Sequence, residues 1–98
     1  MIVEKGIEMR GVCAELHGAL KIIHLVFYEK GEHLIIVATK WGKDALWESH
    51  EAGHAIDVKK PLKNFHDVFW GLKKALGSNY VLRSIGDHIH IEYSPHGT

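Results

Sequence analysis

Apolar residues recur along the first third of the chain with helical spacing. Ile7, Val12, Leu16, Leu20, Ile23 and Phe27 lie three to five residues apart, and Met9 and Cys13 widen the stripe. This pattern predicts a helix over residues 7–29. Gly11 and Gly18 weaken it by about 1 kcal/mol each relative to alanine, and Gly31 supplies a stop. Residues 33–40 (HLIIVATK) form a short run rich in β-branched side chains, the pattern of a buried strand. Residues 41–51 carry charges, Gly42 and two tryptophans without a period and read as an irregular loop. A second strand-like run at 54–59 (HAIDVK) stops before Pro61. Leu62, Phe65, Val68, Phe69, Leu72 and Leu76 then set a second helix over residues 63–77, with Asn64 as its cap. Residues 80–84 and 88–93 are two further strands joined by a Gly86-Asp87 turn. The last one alternates cleanly, with Ile89 and Ile91 on one side and His88, His90 and Glu92 on the other.

The order helix, strand, loop, strand, helix, strand, strand predicts an α+β domain spanning residues 1–98. In it a small antiparallel sheet of about four strands carries two helices packed on one face. The opposite face, or one end of it, is left free for a site. At 98 residues and 11.1 kDa the chain has room for one such core. Twelve basic and twelve acidic residues balance, so the basic excess of a nucleic-acid binder is missing. The longest apolar run is too short to cross a bilayer. The first ten residues lack the apolar stretch of a signal peptide. Cys13 has no second cysteine to pair with; it falls on the apolar stripe and is expected to be buried and inert.

Histidine changes the picture, because nine in a chain of this size is several times the usual share. His50 and His54 sit in SHEAGHAID at 49–57, and His88 and His90 in DHIHIEY at 87–93, about thirty residues further on. His17, His24, His33 and His66 show no partner pattern, and His96 lies near the end of the chain. The first segment holds two overlapping motifs. His50-Glu51-Ala52-Gly53-His54 is a literal HExxH, which on a helix places two histidines on one face for zinc and a glutamate as base. The string HEAGHA is similar to the zinc motif of the membrane-bound AAA-type metalloproteases. His50, Gly53, Ala55 and Asp57, preceded by Ser49, form instead an H-x-x-G-x-A-x-D array. With His90, preceded by His88 and Asp87, this array resembles the zinc site of the D-alanyl-D-alanine carboxypeptidase and hedgehog-like peptidase superfamily, which includes phage endolysins. Local pattern favours the second motif, since Gly53, a β-branched alternation and Pro61 all oppose a long helix at 50–54. The order of elements from residue 7 to residue 94 is also that of the superfamily.

The resemblance implies a zinc metallopeptidase with His50, Asp57 and His90 as ligands and an open fourth position, the arrangement of a catalytic zinc. It implies Asp87 as general base and makes His88 an electrostatic helper at the developing oxyanion. The implied substrate is a peptidoglycan stem or cross-link peptide, cut at a D-alanine bond or an L-Ala–D-Glu junction. A monomer is expected, and the sequence suits a phage-type lysin or cytoplasmic expression. The superfamily's S-G-x-R-S segment after the first strand has no counterpart, since the stretch reads Ala38-Thr39-Lys40-Trp41. Lys40 or His88 would replace the arginine or glutamine that members carry there. A non-catalytic zinc-binding domain is the alternative, and an HExxH protease using Glu51 and His54 is a third reading. Glu92 is read as a solvated strand residue. Trp41, Trp47 and Trp70 are candidates for a substrate groove, with Trp70 expected in the core.

Overall fold

The computed structural model describes residues 1–39 and 52–95. The expected loop at 41–51 therefore lies outside the described residues, as do Lys40, Trp41, Trp47, His50, Glu51 and His96.

The sequence folds as an α+β unit. Five strands, β1 (Ile2–Val3), β2 (Ile35–Ala38), β3 (Ala55–Lys59), β4 (Tyr80–Ile85) and β5 (His88–Tyr93), form one sheet. Two helices, α1 (Ala14–Glu29) and α2 (Phe65–Leu76), complete it. The strand order is β1-β2-β3-β5-β4. All neighbours are antiparallel except β1, which pairs parallel with β2 through Ile2–Ile35 and Val3–Ile36. The sheet is thus mixed, and it has one strand more than the pattern indicates. Two residues are too few to show a period.

The helices cover one face. Leu16, Ala19, Ile23 and Phe27 of α1 and Val68, Leu72 and Leu76 of α2 are buried. They join a core cluster with Ile36, Ile56, Val58, Ile89 and Ile91 of the sheet. Alternation then sends Ala55, Asp57 and Lys59 of β3 and His88, His90 and Glu92 of β5 to the opposite face. That face is closed at its centre, because Ala55, Asp57 and His90 are also buried.

Several expectations are corrected. Helix α1 begins at Ala14 instead of residue 7, since Gly11 takes φ = 80°, which no helix continues through. Ile7 and Met9 still pack against the core, from irregular chain. Asn64 occupies the N-cap of α2 in a left-handed conformation, and its side chain makes no capping bond. Trp70 points outward and is 62% exposed, with the Lys73 ammonium 5.1 Å from its ring. Cys13 is half-buried at the N-cap of α1.

Candidate metal centre

Antiparallel pairing brings the two histidine-bearing segments together. Asp57 on β3 stands directly opposite His90 on β5, and Arg83 on β4 stands opposite His90 on its other side. Directly opposed residues have Cβ atoms about 5 Å apart, so an aspartate and an imidazole there meet without reaching. Asp57 Oδ1 lies 2.9 Å from His90 Nδ1. Its second oxygen, Oδ2, lies 3.3 Å from His88 Nε2. The Asp57 and His90 side chains are almost fully enclosed, at 2% and 1% exposure.

The cluster continues outward on both sides. His90 Nε2 lies 3.1 Å from Glu92 Oε1. His88 Nδ1 lies 3.4 Å from Asp87 Oδ1, a long contact that ends at a carboxylate 92% exposed in the β4–β5 turn. Burial works against a charge on His90, but the hydrogen bonds and charges of Asp57 and Glu92 outweigh it and leave its pKa above the usual imidazole value. Both ring nitrogens of His90 thus face carboxylates. His88 spans the distance from buried Asp57 to solvent-facing Asp87, so its two nitrogens offer a route for a proton between them.

The spacing of the first motif has local structural reasons. Gly53 takes φ = 77°, and a Cβ built on it would lie 1.9 Å from the carbonyl oxygen of Gly11. Its own carbonyl accepts a 2.8 Å bond from the Cys13 N–H. Two residues on, Ala55 has no accessible surface, and two further on, Asp57 faces His90. The same geometry counts against HExxH. Positive φ at Gly53 ends any helix there, and His54 accepts the Tyr93 N–H at 2.8 Å as the chain enters β3. The His54 side chain is exposed, at the parity of Ile56 and Val58 instead of Asp57.

Of the expected site residues, Asp57, His88, His90 and Asp87 are gathered in one chain of contacts, while His50 lies outside the described residues. Glu92 belongs to this chain and is not simply a solvated residue, its side chain being 20% exposed. The signal for it was its parity with His90, which sets the face but not the contact. Just after β2, Thr39 is fully buried and its hydroxyl donates to the Glu8 carbonyl at 2.6 Å.

Among the described residues no group of three or more histidine, cysteine, aspartate or glutamate side chains is disposed to hold a metal ion. Two donors do suit one. Zinc bonds of about 2.0–2.1 Å in a tetrahedron put neighbouring donors about 3.3 Å apart. Asp57 and His90 stand 2.9 Å apart, a hydrogen-bond distance that would open by about 0.4 Å to admit an ion, and a third donor from elsewhere is needed to complete the set. A surface groove lined by Met1, Ile2, His24, Tyr28, His33 and Leu34 shares no residue with this cluster. No family model, curated protein or solved structure matches the chain.

Proposed function

We propose that the chain is a zinc peptidase of the D-alanyl-D-alanine carboxypeptidase and hedgehog-like type, acting on peptidoglycan stem or cross-link peptides. The observation that carries this reading is the Asp57–His90 contact. Two residues singled out as ligands by motif, 33 positions apart, stand opposite each other with donor atoms 2.9 Å apart. His50, Asp57 and His90 would hold the ion. Zinc supplies Lewis acidity there, polarising a carbonyl and acidifying water.

The chain's own residues do the rest. Asp57 and His90 are fixed by β-sheet register, so they need little reorganisation to bind. Burial of Asp57 and His90 keeps bulk water from competing for their donor atoms. Asp87 accepts a proton at its exposed carboxylate and delivers it to the leaving amine. His88 is the electrostatic helper at the developing oxyanion; its Nδ1 lies 3.4 Å from Asp87 Oδ1 and its Nε2 3.3 Å from Asp57 Oδ2.

A second reading keeps zinc without hydrolysis. It is favoured by the segment after the first strand, where the arginine or glutamine that the resemblance implies is missing and Thr39 is buried and bonded to Glu8. Metal content of purified wild type, Asp57→Ala and His54→Ala, followed by digestion of purified peptidoglycan, decides among the readings. One zinc per chain, lost with Asp57→Ala and kept in His54→Ala, together with hydrolysis that Asp87→Asn abolishes, supports the peptidase. Zinc without hydrolysis in the wild type moves the assignment to the non-catalytic domain. Zinc lost in His54→Ala alone moves it to HExxH. No zinc in any sample overturns all three.

A further inference from the structure

His90 has one ring nitrogen against Asp57 and the other against Glu92. A neutral imidazole has one lone pair and one N–H, so it cannot offer a lone pair at both nitrogens. A metal ligand must give its lone pair to the ion, and the N–H then needs an acceptor. Nδ1 is the nitrogen that converges with the enclosed Asp57 carboxylate, so an ion shared with Asp57 meets Nδ1. Nε2 must then carry the proton, and Glu92 Oε1, 3.1 Å away, accepts it.

We propose that Glu92 is a positioning residue that holds the Nε2–H of His90 and thereby presents Nδ1 to a zinc ion shared with Asp57. This rests on the reading of Asp57 and His90 as metal ligands. Asp57 is the directly opposed partner across the β3–β5 pair, whereas Glu92 lies two residues along β5 on the same face. Glu92 is also the more exposed of the two carboxylates, as suits an outer acceptor with Asp57 as the inner ligand. Such acceptors fix the tautomer and ring orientation of a ligating histidine, and losing one typically weakens metal affinity 10–100-fold.

The test uses the full chain, zinc, and the variants Glu92→Gln and Glu92→Leu. Circular dichroism first checks that both variants fold. Gln keeps a carbonyl oxygen that accepts Nε2–H, while Leu keeps the bulk and accepts nothing. Zinc affinity is measured by competition with a chelator. Proton–nitrogen correlation NMR reads which His90 nitrogen carries the proton in the loaded protein. The expected result is Nε2–H in zinc-loaded wild type, affinity lowered 10–100-fold in Glu92→Leu, and most of that loss recovered in Glu92→Gln. Equal affinity of wild type and Glu92→Leu overturns the proposal while leaving the metal site standing. Zinc bound at Nε2, with Glu92→Gln as damaging as Glu92→Leu, overturns it by making Glu92 a ligand. A wild type that takes up no zinc overturns it together with the reading of the site.

Discussion

Gly53 shows how a single residue of the H-x-x-G-x-A-x-D array serves the fold. Its φ of 77° is a region that side chains rarely enter, and the space a Cβ would need is taken by the Gly11 carbonyl. Gly53→Ala therefore combines backbone strain with a clash against main chain, and it should cost about 2–4 kcal/mol in denaturant unfolding. A loss under about 0.5 kcal/mol would mean that the Gly11 segment moves aside freely. Ala55 answers to complete burial and Asp57 to the contact with His90, so these three motif positions have separate physical reasons. The motif positions were legible in the sequence, but the reasons for Gly53 and Ala55 were not, since backbone angle and close approach leave no periodic trace. Nor was the role of Glu92, because alternation along β5 assigns a face but says nothing of where a flexible carboxylate ends. Trp70 departs from expectation for a related reason: aromatic bulk suggests burial, yet its helix position turns it outward. Trp70→Ala should cost no more than about 1 kcal/mol, the worth of an exposed cation–π contact with Lys73. Phe27→Ala, at a position with no exposure, should cost about 3–5 kcal/mol. Paired urea titrations measure both, and a reversed order would place Trp70 in the core after all.

Both helices could be read from periodicity and four of the five strands from apolar runs or alternation, because each spans enough residues to leave a pattern. What periodicity lacks is the backbone. The stripe running from Ile7 through Val12 to Leu16 does end up on the core, but its first turns are irregular chain bent at Gly11. Strand β1 and its parallel pairing follow from the bond donated by Ile2 N–H to the Leu34 carbonyl, a contact that sequence order does not announce. The start of α1 is anchored from far away as well, since the Tyr80 hydroxyl on β4 donates to the Glu15 carbonyl at 3.1 Å. Burial, followed by the charges of Tyr93, Cys13 and Glu15, raises the Tyr80 pKa above 10.0. The folded state thus favours the neutral phenol more than the unfolded chain does. This stabilisation is fully present below pH 10.0, the unfolded value, and is lost as pH rises through the folded one. Tyr80→Phe removes the bond and the titration together. Its deficit should be about 1 kcal/mol at pH 8 and should shrink above pH 10. A deficit constant from pH 9 to pH 11, by denaturant midpoints, would mean that the phenol titrates alike in both states.

At the scale of the molecule, the sheet separates two jobs. The helix-facing side holds an apolar cluster from Val12 to Ile91 that includes no site residue. The other side holds Asp57, His88 and His90, with Asp87 and Glu92 at the margins. The fold therefore would not need the proposed metal in the way a zinc finger does, where too little apolar surface exists to fold without it. Zinc should act as a ligand of an already folded chain, adding stability by mass action. At a free concentration 100 times Kd the gain is about 2.7 kcal/mol. For a domain of this length each kcal/mol moves Tm by about 4–8 °C, so chelation should lower Tm on the order of 10–20 °C. At 25 °C the chelated protein should keep its far-ultraviolet circular dichroism and unfold in one cooperative transition. Asp57→Ala should melt at the same temperature with and without zinc, since it lacks the proposed ligand that register places opposite His90. If chelation instead melts the secondary structure at 25 °C, the ion is a structural staple, and the assignment of an open, catalytic coordination position falls with that result.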